Sequence, residues 1–388
     1  MNAELHIQKL LRGSTTGLEE IRALGIRYTR DTSHPNLVQF AYHMTESYAN
    51  KTHPIVRESR GLILDQDQNW NVVAFPFLRF FNWGEPGAAE IDWSTARVQE
   101  KLDGSLIILC HYAGNWMVST KQTPGANCQV GDWPITFRDL FWQTFNQKYN
   151  TQNLIPGWTC CWELVSPQNH VITRNNTAEV TLLSARDADG VEVHLDDPRI
   201  WEGFQRVRHF DFNSAQAATQ AAEQLDPLVQ EGFVVVDQQF NRVKIKSPKY
   251  VALHYSRFSL GLRGILDLIR QGESDEAVVY FDEIKDRFAM VNQRIDQLAE
   301  VIDQHFQNAN PHGTDIVFQG TREEIAASRK SFAAYVKSQV PSDIQGAMFS
   351  LMNGHFQNAR AWILNQTDDY LLNVLKLKLK NTVNPSEQ

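Results

Sequence analysis

Cysteine is scarce: four residues in a chain of 388, Cys110, Cys128, Cys160 and Cys161. None forms a CxxC pair, so neither a zinc knuckle nor a disulfide framework is indicated, and the usage suits a reducing cytoplasm. The adjacent pair reads as ordinary buried strand residues. No apolar run approaches the roughly 18 residues that a membrane span needs. The opening "MNAELHIQKLLRG" shows helical spacing without a signal-peptide core. GxxxxGK[ST], HExxH and GxGxxG are all missing. P-loop NTPases, zinc metalloproteases of that motif and dinucleotide-binding folds are thereby set aside. Positive charge is also in deficit, 37 Lys and Arg against 45 Asp and Glu, a net charge of -8. The whole-molecule field therefore repels nucleic acid, and any such binding has to come from a local basic patch.

What is present is ordinary globular composition, 42% hydrophobic and 21% charged. The length favours two domains. The first fifty residues are mixed, with helices near 4–12 and 17–24. Short β-type runs dominate from about 60 to 255. "SLIILCHY", "AGN" and "WMVSTK" read as a hairpin with Gly114 and Asn115 in its turn. "WTCCWELV", "EVTLLSA", "GFVVVD" and "RVKIK" read as further strands. "FRDLFWQTFNQKY" and "SAQAATQAAEQL" read as helices, the second with Ser214 as N-cap. Beyond about 256 the spacing turns helical and Gly and Pro thin out, so an α+β domain over 1–255 is expected to precede an all-α domain over 256–388.

The chemistry gathers around "EKLDGS" at 100–105. Alone, it reads as an Asp-Gly hairpin turn with a solvated lysine. The charged residues elsewhere change that reading: "ESRG" at 58–61, "STK" at 119–121, Glu163 inside the apolar "CWELVSP", Glu231 opening "EGFVVV", and "VKIKS". Period two puts Lys244 and Lys246 on one strand face, with Ile245 on the other. Two neighbouring ammonium groups repel unless a polyanion lies between them or the face is wet. Glu163, between Trp162 and Leu164, is costly to bury without a cation or donors. Together these residues offer cations for a triphosphate and carboxylates for Mg2+. Cationic neighbours and partial desolvation give Lys101 a route to nucleophilicity.

The order of these blocks resembles the covalent nucleotidyltransferases, the superfamily of ligases and mRNA-capping enzymes. "EKLDGS" matches the nucleophile motif, and "CWELVSP", "EGFVVV" and "VKIKS" match the later motifs in order. "ESRGLIL", "RFFNWGEP", the serine after KxDG, "KIKSPKYVALHY" and "GILDLIRQGESDEA" are similar to the phage RNA ligase 1 family. The resemblance implies an α+β, ATP-grasp-like adenylation domain with antiparallel sheets, followed by a helical domain for RNA-end recognition. It implies ATP and Mg2+, or Mn2+ in its place, as cofactors. It implies that Lys101 attacks the α-phosphorus, that Asp103 and Glu231 serve a metal, and that Glu163 holds the ribose hydroxyls. Lys244 and Lys246 would hold the α-phosphate. Arg60, Arg79, Lys121 and Tyr250 would join the nucleotide site, and Phe81 would stack on adenine, a role open to the core aromatic Phe80 instead. Arg79 stands where related ligases can carry lysine, which changes the contact geometry.

The expected partners are ATP and RNA with 5'-phosphate and 3'-hydroxyl ends, single-stranded or from a broken loop. No membrane is involved, a monomer is favoured, and the compartment is the cytoplasm (the host's, if the chain is phage-encoded). The runner-up readings are a DNA ligase or another end-adenylyltransferase, and a binding protein that has lost turnover. The helical texture after Tyr250 shows no oligonucleotide-binding barrel pattern, which separates the chain from DNA ligases and capping enzymes. Lys244, Lys246, Lys249, Arg257, Arg263 and Arg270 form an expected basic track for phosphates.

Overall fold

The last strand shows how this chain builds a sheet. In Arg242–Lys246, Val243 and Ile245 are buried, while Arg242, Lys244 and Lys246 remain partly open on the other face. The computed structural model describes residues 4–44, 46–169, 171–255, 261–273, 277–278, 285–309 and 322–377. The strands, in chain order, are β1 Ile26–Arg30, β2 Leu37–Tyr42, β3 Arg60–Asp65, β4 Asn71–Ala74, β5 Phe81–Asn82 and β6 Arg97–Lys101. They continue as β7 Ser105–Tyr112, β8 Asn115–Thr120, β9 Gln129–Val130, β10 Trp133–Thr136 and β11 Thr159–Val165. The last are β12 Glu179–Arg186, β13 Glu192–Val193, β14 His209–Phe210, β15 Gly232–Val236 and β16 Arg242–Lys246.

Three larger sheets result. Their orders are β1-β2-β3-β4, β13-β12-β11-β7-β8 and β14-β6-β15-β16-β5, beside a small β10-β9 ribbon. Pairing between named strands is antiparallel except for β16 with β5. The second sheet buries Trp162 against Phe141 and Phe145 of the helix Phe137–Lys148. Each such side chain contributes about 1.5–3 kcal/mol by leaving water. The third sheet packs Val98, Phe233, Val235 and Ile245 on Ala218 and Ala222 of the helix Ala215–Glu223, whose Ser214 Oγ accepts the Ala217 amide as N-cap. Leu37, Ile63 and Ala74 of the first sheet meet Ile108 and Cys110 of the second.

The segment 101–105 is not a hairpin. Lys101 ends β6, which pairs with β14 and β15, whereas Ser105 begins β7, which pairs with β11 and β8. The chain crosses from one sheet to the next within those residues. The true hairpin joins β7 to β8, and its turn is Ala113–Gly114, because Asn115 already pairs with Tyr112. Cys161 is buried, and Cys160 packs against the core of the second sheet.

The chain divides into two compact units, Met1–His43 with Ser47–Arg257, and Met44–Glu46 with Phe258–Gln388. Among its described residues the second unit holds helices and no strand, including Leu262–Gln271, Lys285–Ala309 and Ala359–Leu364. Parts of the expected helical stretch, 274–276 and 279–284, lie outside the described residues, as does Arg257. Two members of the expected basic track are engaged inside this unit. Arg263 pairs with Asp369 at 2.6 Å, and Arg270 reaches Asp368 at 2.5 Å and the carbonyls of Leu364 and Gln366. They clamp helices together within this unit.

Candidate active site

Strand register sets the first pair of residues. Gly232 lies opposite Lys101 on one side and Lys246 on the other. The two lysines therefore flank the same point of the central strand. Glu231, just before it, takes Lys101 on Oε2 and Lys246 on Oε1, the latter at 3.1 Å. Glu231 is 3% exposed, so its charge is balanced by two cations inside the protein. Glycine is required here, since a Cβ at 232 would lie 2.3 Å from the Ile245 carbonyl oxygen.

Glu163 faces this pair from β11. Its Oε1 accepts the Gly104 amide at 3.0 Å. That approach needs glycine too: a Cβ at 104 would meet the Leu164 oxygen at 2.4 Å. Burial pushes the Glu163 carboxyl up to about 7, with Lys101 opposing the rise and Glu231 adding to it. The crossover thus places Lys101 and the Gly104 amide at a junction between two sheets. A cavity of about 600 Å³ opens there, lined by Arg60, Lys101, Lys121, Glu163, Lys244 and Lys246 together with Phe77, Phe80 and Arg242.

A second cationic group stands beside it. Lys121 Nζ lies 3.9 Å from the centre of the Tyr42 ring, and Arg79 Cζ lies 4.4 Å from it. Burial raises the Tyr42 phenol, but Lys121, Arg60, Arg79 and Lys244 together outweigh it and bring it down to about 7. Burial lowers Lys121, Tyr42 opposes that shift, and Arg60 and Arg79 push it further down. Arg60 Cζ sits 4.6 Å from the Phe77 ring.

Four expected site residues hold different positions. Asp103 does not line the cavity. Its Oδ2 accepts the amides of Ile172 and Thr173, each at 2.9 Å, and its Oδ1 accepts the Tyr250 hydroxyl at 2.9 Å. It anchors the loop after β11 and is not presented as a metal ligand. Tyr250 is 3% exposed and stands behind Asp103, outside the cavity lining. Of the aromatic pair it is Phe80 that lines the cavity, with Lys244 Nζ 5.3 Å from its ring, while Phe81 is buried against Arg79. Arg79 itself is 6% exposed and does not line the large cavity.

Two residues at the site went unread in the sequence. Arg242 continues the alternation of Lys244 and Lys246 two residues back, and the same period would have found it. It pairs with Glu192, which also takes Arg186 at 3.0 Å. Tyr42 gave no local signal, because "LVQFAY" reads only as a buried strand.

Among the described residues no group of three or more His, Cys, Asp or Glu side chains forms a metal cage. Glu163 and Glu100 are the carboxylates that line the cleft, whereas Glu231, expected as a metal ligand, lies behind Lys101 and Lys246 with both oxygens engaged. Mg2+ is commonly held by one or two carboxylates with substrate phosphates supplying the rest. The residues fit an ion that arrives with a triphosphate.

Residues 58–250 match the RNA ligase family model. The chain belongs to the RNA ligase family. It is 26% identical over 316 residues to an RNA ligase of Rhodothermus phage RM378, covering 64% of this chain and 70% of that one. Among solved structures, an archaeal ATP-dependent RNA ligase is 11% identical with a TM-score of 0.46, covering 86% of this chain and 82% of its own. A Naegleria gruberi RNA ligase solved with ATP and Mn is 14% identical with a TM-score of 0.33, and the match spans 41% of this chain and 51% of that one. The matched segment of this RNA ligase family chain opens at Glu58 and closes on Tyr250, so it encloses the cleft from Arg60 to Lys246.

Proposed function

We propose that the protein is an ATP-dependent RNA ligase that joins 5'-phosphate and 3'-hydroxyl RNA ends through a lysyl-AMP intermediate. The observation that carries this reading is Glu231 holding Lys101 and Lys246 side by side in a cleft also lined by Lys244, Lys121 and Arg60. The cations suit the α-, β- and γ-phosphates of ATP. Lys101 Nζ would attack the α-phosphorus in line, forming the N–P bond as the bond to pyrophosphate breaks. Its proton has Glu231 as the acceptor already in contact. Mg2+ bound with the triphosphate would offset charge on the phosphates. Glu163, with the Gly104 amide on one oxygen, has the other available to a ribose hydroxyl. AMP then passes to an RNA 5'-phosphate, and a 3'-hydroxyl displaces it to close the phosphodiester. The first unit would perform adenylylation, and the helical second unit would recognise RNA ends in the cytoplasm of the producing cell.

The test is incubation with α-labelled ATP and Mg2+, which should give an acid-labile, alkali-stable label on the protein. Lys101→Ala should take up none, and a label that survives this substitution refutes the assignment. GTP preferred over ATP would point to capping chemistry. Circularisation of 5'-phosphorylated single-stranded RNA, without sealing of nicked duplex DNA, separates RNA ligation from DNA ligation.

A further inference from the structure

Behind Phe80 and Arg242 lies a second cavity, of about 330 Å³, that the adenylylation chemistry does not use. Four guanidinium groups line it, Arg57, Arg79, Arg186 and Arg242, against a single carboxylate, Glu192. Glu192 is already shared by Arg186 and Arg242. Arg57 Nε donates to the Arg79 carbonyl at 3.4 Å. Arg79 is 6% exposed, and its Nη1 is buried without a hydrogen-bond partner. A buried, incompletely satisfied guanidinium such as that of Arg79, among further arginines, is costly unless an anion completes it.

The turn that lines this cavity is unusual in its backbone. Phe240 belongs to the turn between β15 and β16 and has φ +60°. A bulky residue in that region is a strained choice where glycine or asparagine is the ordinary one. Asp237 holds the turn in this shape: its Oδ1 accepts the amides of Gln239 and Asn241 at 3.0 and 2.9 Å. The result is an aromatic ring at the cavity lining, with the His194 ring 4.6 Å away and tilted by 31° and Arg242 Cζ 5.8 Å from its centre. A guanidinium cluster beside an aromatic ring supplies the two contacts that a nucleotide within a strand requires, a phosphate contact and a stacking platform.

We propose that this cavity is an RNA subsite, with a phosphodiester held by Arg57 and Arg79 and one base stacked on Phe240. The proposal rests on the reading of the large cleft as an RNA ligase site, and it adds where the strand is gripped. The cavity shares Phe80 and Arg242 with that cleft, so an RNA end seated here would lie next to the lysyl-AMP.

The experiment uses the full chain. The protein is charged with labelled ATP and Mg2+, freed of ATP, and offered graded concentrations of a 5'-phosphorylated single-stranded RNA, and transfer of AMP is followed. Arg57→Ala and Phe240→Gly should charge with AMP as the parent does. Their half-saturating RNA concentration should rise about tenfold, in line with the loss of one stacked base or one phosphate contact. Glycine accepts φ +60°, so Phe240→Gly should melt no lower than the parent, and Phe240→Tyr should restore RNA saturation. Parent-like RNA saturation in both variants overturns the proposal. A raised ATP requirement in place of a raised RNA requirement also overturns it, because the cavity would then belong to the ATP site. Failure of the parent itself to charge with AMP would instead sink the reading of the large cleft.

Discussion

Lys121 rests with its ammonium 3.9 Å from the centre of the Tyr42 ring, deep in the protein. The phenol is brought down to about 7 from its ordinary 10. A group whose folded pKa is depressed stabilises the fold fully above its unfolded pKa and loses that contribution as pH falls through the folded value. Tyr42→Phe should therefore cost about 1 kcal/mol near neutrality, from the lost hydroxyl. Between pH 7 and 10 the gap to the parent should widen. Thermal melts across that range check it, and a gap that stays constant with pH rejects the ionised phenol.

Glu163 behaves in the opposite sense. Its carboxyl is raised to about 7 from 4.5. A raised pKa stabilises the fold below 4.5 and that contribution is lost as pH rises through 7. Glu163→Gln removes the ionisation, so the parent should lose stability relative to the variant on going from pH 4.5 to 8. The relative change should be about 1 kcal/mol or more. Urea titrations at both pH values measure it.

Asp103 separates a positioning role from a metal role. Asp103→Asn removes one of the two oxygens that accept from Ile172, Thr173 and Tyr250. The fold should lose about 1–3 kcal/mol. The Mg2+ concentration that half-saturates protein labelling should stay where it is. A large rise in that concentration, in protein that melts normally, would restore Asp103 as a ligand.

Gly232 has no tolerated replacement. Its φ is +155°, and a Cβ would press on the Ile245 carbonyl at 2.3 Å. Gly232→Ala should destabilise by at least about 2 kcal/mol and spread β15 from β16. Reduced labelling together with a lower melting temperature is the expected pair of results.

The sequence was readable where side chains alternate over several residues. Period two put Lys244 and Lys246 together, and the apolar runs around Glu163 and Glu231 marked those carboxylates as exceptions. It was unreadable where one residue of register decides. β5 is two residues long, too short to show which of Phe80 and Phe81 faces the cleft. The sheet containing β1 and β2 lies in a stretch whose pattern is mixed, and Tyr42 meets Lys121 only through packing of that sheet. "EKLDGS" has the composition of a hairpin turn. Nothing local says that the strands on either side belong to different sheets, since that depends on partners more than fifty residues away.

That crossover has a mechanical consequence. Lys101 ends one sheet and Glu163 stands on the next, with only the protein's own contacts between them. A nucleotide bonded to Lys101 and gripped by Glu163 would act as a strut across the seam. The charged protein should then unfold at a higher temperature than the uncharged one. Pyrophosphate, by stripping the AMP, should return the melting temperature to its starting value.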